Sequence, residues 1–69
     1  LSKREIKVLL TFLHYGPGVR VDSRKIKGCG PTIEECLQAR GFIDIFKKDR
    51  FNDYALTQAG HEAALKASG

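Results

Sequence analysis

Long apolar runs are missing from this chain. The longest, Val8 to Leu13, is broken by Thr11 and falls well short of the roughly 18–20 residues that span a bilayer. The chain does not open on a charged-then-apolar segment of the secretory kind. Cysteine is scarce: Cys29 and Cys36 are too few for a disulfide scaffold, and six intervening residues are not a usual zinc-ligand spacing. His14 and His61 add no second close pair, so no metal is expected. Cysteines of this kind behave as small hydrophobes in a core or turn, and a reducing, cytoplasmic location is the expectation. Gly28-Cys29-Gly30 is not followed by the Gly-Lys-Ser/Thr of a Walker loop. With no nucleophile–base set either, neither an enzyme nor a cofactor is expected.

What is present suits a small folded domain. Hydrophobic residues at 42% and charged residues at 29% argue against disorder, and 69 residues lie near the lower limit for a core without staples. A single domain over residues 1–69 is expected. Because the chain begins with Leu1 and ends in Ala-Ser-Gly, it reads as a processed chain or a domain excised from a longer one. The net charge of +4 and a pI near 9.3 suit an acidic partner. Residues 1–30 hold seven Lys/Arg against Glu5 and Asp22, whereas residues 31–69 hold five against six acids. The positive charge is concentrated in the first half.

Ser2 and Glu5 form an S-x-x-E capping box for a helix running to Tyr15. Ile6, Leu9, Leu10 and Leu13 recur at helical spacing, with Val8 and Phe12 widening the stripe. This helix is read as scaffold, without a recognition role, and Gly16-Pro17-Gly18 ends it. Val19-Arg20-Val21 is too short to stand alone but suits a third strand beside a hairpin. Asp22 or Ser23 caps a one-turn helix over Arg24–Lys27, which Gly28 stops. Arg20, Arg24, Lys25 and Lys27 are the densest basic cluster. They read as phosphate contacts or as a solvated face.

The stretch Gly30–Gly41 carries its own start and stop. Pro31 fits the first helical position, and Gly41 supplies a left-handed close. Ile33, Cys36, Leu37 and Arg40 share one face; Thr32, Glu35, Gln38 and Ala39 lie outward. Glu34 and Glu35 are neighbours near the N-terminus, where the helix dipole favours carboxylates. Phe42–Phe46 alternates as a strand, Lys47–Asp53 is a hairpin tip, and Tyr54-Ala55-Leu56 returns. Thr57 caps a last helix with Ala59, Ala63, Leu65 and Ala67 apolar, and Gly60 weakens it. Its small residues suit close packing on the first helix or on a second copy.

Leu37-Gln38-Ala39-Arg40-Gly41-Phe42-Ile43 and Leu56-Thr57-Gln58-Ala59-Gly60 resemble two motifs of the winged helix-turn-helix superfamily. The pattern is most similar to multiple-antibiotic-resistance (MarR)-type and related bacterial, archaeal and phage regulators. The resemblance implies an α+β fold in the order α-β-α-α-β-β-α, with three helices packed beside a β-hairpin wing. It implies duplex DNA binding in transcription regulation, with helix 31–40 in the major groove and tip 47–53 as the wing. On that reading Arg20, Arg24, Lys25, Lys27, Lys47, Lys48 and Arg50 contact the backbone. Thr32, Gln38 and Arg40 read bases or backbone, or Arg40 lays its stem along the core face and reaches outward. Glu35 repels phosphate but can accept from cytosine N4. The alternative is a protein-interaction or homodimer module, marked by an exposed apolar patch around Phe51, Ile43 or Ala39. No aromatic platform suggests stacked RNA bases.

Overall fold

The computed structural model describes residues 1–69. The Ser2 hydroxyl accepts the Glu5 N–H at 3.2 Å and Glu5 accepts the Ser2 N–H at 3.2 Å, so the capping box opens α1 (Lys3–Leu13). The helix is shorter than its expected end at Tyr15, and its buried face is Glu5, Val8, Leu9 and Phe12. Ile6, Leu10 and Leu13 are only half-buried, so the buried stripe is rotated from the expected one. Glu5 tolerates that position because its carboxylate is fully engaged.

The chain then forms β1 (Arg20–Asp22), which pairs antiparallel with β3 (Asp53–Leu56); β3 also pairs with β2 (Ile43–Phe46). The sheet order β1-β3-β2 puts the last strand in the middle, and every residue of β3 is buried. Asp53 lies opposite both Phe46 and Asp22. It therefore belongs to the strand, and the hairpin tip is 47–52, one residue shorter than expected. Between β1 and the middle helix α2 (Pro31–Ala39), the expected one-turn helix is a 3₁₀ turn, Ser23–Lys25. Asp22 caps it through Arg24 N–H at 2.9 Å. Ile26 leaves helical geometry at φ −102°, ψ 88° and buries its side chain in the core.

One apolar cluster draws on every strand and α-helix: Leu9 and Phe12 from α1, Val21 from β1, Leu37 from α2, Ile43 from β2, Leu56 from β3, and Ala64 from the closing helix α3 (Gln58–Ser68). Each fully buried Leu or Phe contributes about 1.5–3 kcal/mol. In α3 the buried residues are Gly60 and Ala64; Ala63 packs partly buried against the core, and Ala59 and Leu65 are exposed. No helix is long and apolar enough to cross a membrane.

The two sequence motifs meet in space. At the end of α2 the Phe42 N–H donates to Leu37 O and the Gly41 N–H to Gln38 O, both at 2.9 Å, with Gly41 at φ +74°. This is the paired closure that a left-handed residue permits. The corner so formed presents its carbonyls to Thr57: the Thr57 N–H donates to Phe42 O at 3.0 Å and its hydroxyl to Gly41 O at 2.6 Å. The same hydroxyl accepts the Gly60 N–H at 3.0 Å. A Cβ on Gly60 would lie 2.1 Å from Phe42 O. The helix glycine is thus required by close approach, beyond any cost to helix propensity.

Candidate nucleic-acid interface

The outward face of α2 carries Thr32, Glu35, Gln38 and Ala39, all exposed. Glu34 diverges from Glu35, as consecutive helical residues do, and accepts a hydrogen bond from the Tyr54 hydroxyl on β3. Burial, then this donation to Glu34, pushes the Tyr54 phenol well above its ordinary range. Burial likewise pushes the neighbouring Cys29 thiol up. Only one of the two carboxylates is left on the outer face. Arg40, expected either as a reader or with its stem along the core face, pairs with Glu5 of α1 at 3.2 Å. The Ser2 backbone N–H, then the Ser2 side chain, and after them Arg40, hold the Glu5 carboxyl below its ordinary value.

The basic cluster divides. Arg24 meets Asp22 through two parallel bonds, Nε to Oδ1 at 3.0 Å and an amino nitrogen to Oδ2 at 2.9 Å. This arrangement holds Asp22 at about 2 and raises Arg24. The Arg24 guanidinium also lies 4.4 Å from the centre of the Phe51 ring. Lys48 pairs with Asp53 at 2.9 Å and Arg20 with the same carboxylate at 3.4 Å, while Arg20 covers the Phe46 ring at 4.1 Å. These three cations brace the joint between β1 and the hairpin. Lys25, Lys47 and Arg50 are exposed and form none of the ion pairs.

Arg24, Lys48, Arg50 and Phe51 line, with Asp22 and Asp49, an open hollow of about 590 Å³ between the 3₁₀ turn and the hairpin tip. Lys27 is not part of it. It lines a separate cleft of about 290 Å³ with Arg4, Lys7, Val8 and Gly28. Arg4 and Lys7 belong to α1, the helix that the sequence reads as scaffold. Their spacing of three residues puts both on the exposed side of that helix. Of the residues expected to mark a protein-binding surface, Ile43 is buried at 2% exposed, whereas Ala39 is exposed and Phe51, stacked with the Arg24 guanidinium, is 44% exposed. An apolar groove of about 490 Å³ lies elsewhere, between α1 and α3, lined mainly by Leu1, Ile6, Phe42, Ala59, Ala63 and Ala67.

No protein-family model matches the chain, and neither the curated proteins nor the solved structures yield a match.

Proposed function

We propose that this domain binds double-stranded DNA as a winged helix-turn-helix, with helix 31–40 toward the major groove and the 47–52 tip as the wing. The observation that carries the reading is the setting of the outer face of α2. It offers Thr32 and Gln38 with no large apolar side chain, and the chain on either side of it bears the unpaired cations Lys25, Lys27, Lys47 and Arg50. Small polar groups suit base edges, and flanking cations suit phosphates, which position a protein while base contacts specify sequence. The inward turn of Glu34 removes one source of repulsion from that face. Transcription regulation in the cytoplasm is the setting this function fits.

The test is fluorescence anisotropy of a labelled random-sequence duplex at several salt concentrations. Binding at low salt should weaken steeply as salt rises, with a slope that counts phosphate contacts. Lys25→Gln/Lys47→Gln/Arg50→Gln should lower that slope by roughly 2–3. No binding at low salt by the folded domain would overturn the reading.

A second reading, assembly with another protein or a second copy, is favoured by the apolar groove between α1 and α3. Sedimentation equilibrium would support it if the domain self-associates and Ala63→Glu abolishes the association.

A further inference from the structure

Three cations from two parts of the chain converge where no carboxylate answers them. Arg4 and Lys7 come from α1 and Lys27 from the turn before α2, and their cleft of about 290 Å³ is completed by Val8 and Gly28. The acid nearest in sequence is Glu5, and its carboxylate is already committed to Ser2 N–H and Arg40. None of the three cations forms an ion pair. Like charges held at helical spacing repel one another, and the cleft contains nothing to relieve them. The floor is partly backbone. Gly28 sits at φ +83° with open space where a side chain would be, so a bulky anion can approach the chain closely.

We propose that this cleft is a phosphate-binding site. On the DNA reading, on which this assignment of its occupant rests, it takes a backbone phosphate of the same duplex. The 3₁₀ turn carries the connection. At one end Arg24 packs on the hairpin tip; two residues after the turn Lys27 joins Arg4 and Lys7. Cations therefore run from the tip, through Lys25 and Lys27, onto α1. The site extends the phosphate-contacting surface to a helix otherwise devoted to the core.

The test compares the wild-type domain with Arg4→Gln/Lys7→Gln/Lys27→Gln and with the remote Lys66→Gln on α3. All three substituted side chains are exposed, and circular dichroism checks that each variant is folded. Two probes are used: a random-sequence duplex, and inorganic phosphate followed by amide chemical shifts. The triple variant should bind duplex at least about tenfold more weakly near 0.1 M salt, with a salt slope lower by roughly 2–3. Lys66→Gln should match wild type. Inorganic phosphate should shift the Lys27 and Gly28 amides saturably in wild type and not in the triple variant. Duplex binding that is tight and unchanged in the triple variant would overturn the site and leave the DNA reading standing. Phosphate binding at the cleft without duplex binding would keep the site and overturn the DNA reading. Neither phosphate shifts nor duplex binding would overturn both.

Discussion

Tyr54 of the central strand donates its hydroxyl hydrogen to Glu34 of α2. The bond ties the candidate recognition helix to the most buried strand of the sheet, and it turns a carboxylate away from the outer surface. Tyr54→Phe removes the donor and leaves a half-buried carboxylate short of a partner. The variant should lose about 1–3 kcal/mol of stability, measured by urea unfolding. A change below about 0.5 kcal/mol would show that water replaces the hydroxyl freely.

Gly60→Ala separates two principles that point in opposite directions. Helix propensity alone predicts a gain of about 1 kcal/mol. The new Cβ would stand 2.1 Å from Phe42 O and 2.8 Å from a Leu56 methyl, and a backbone carbonyl cannot swing aside. A loss of about 2 kcal/mol or more is expected, read as a lower melting temperature. Greater stability would mean that α3 is not seated on the Gly41–Phe42 corner.

Asp22 should titrate near 2, held there chiefly by the hydrogen bonds from Arg24. Its folded value lies below the ordinary 3.8, so the folded state binds fewer protons than the unfolded one. The stability linked to this group is present above that value and is lost as pH falls through about 2. Arg24→Gln should raise the Asp22 titration toward 3.8, followed by carboxyl-carbon chemical shift. It should also make the domain less sensitive to acid in that window.

Arg40→Ala should weaken the domain at neutral pH by about 1–2 kcal/mol, because the Glu5 carboxylate loses a charged partner. Glu5 is 7% exposed and its carboxyl is held low, so the wild-type advantage belongs to its ionised form. The difference between variant and wild type should shrink as pH falls and Glu5 becomes protonated. Urea unfolding at neutral and acidic pH would measure it; a difference independent of pH would assign the effect to lost packing.

Glu35→Gln tests the placement of α2 on a duplex. If this exposed carboxylate faces phosphates, removing its charge should raise non-specific affinity by about threefold or more at low salt. Anisotropy with a random-sequence duplex reads the change. Unchanged affinity would move α2 away from the nucleic acid and leave the hairpin and the turn as the contacting parts.

The local signals were readable in one dimension. Ser2 with Glu5, Pro31, Gly41 and Thr57 each satisfy or terminate backbone groups within a few residues, so their effects travel with the sequence. The exposed residues of α2 followed from helical spacing alone, as did the divergence of Glu34 from Glu35. Spacing misled where a charged residue was buried. Glu5 lies at the centre of the α1 core face because Arg40, 35 residues away, neutralises it, and no local pattern contains that partner. The buried side of α3 is not legible for a related reason: alanine and glycine barely distinguish inside from outside by hydrophobicity, and close approach to Phe42 decides.

By itself the sequence determined where the three α-helices begin, that a hairpin follows the middle helix, and that the chain is basic mainly in its first half. These follow from capping, turn chemistry and charge, which act over a few residues or need no geometry. Only the tertiary structure decided how the cations are divided. It pairs Arg20, Arg24 and Lys48 with Asp22 and Asp53 at the sheet, leaves Lys25, Lys47 and Arg50 unpaired, and gathers Arg4, Lys7 and Lys27 into one cleft. Ion pairing depends on separations of a few ångströms between groups far apart in the chain. Packing sets those separations.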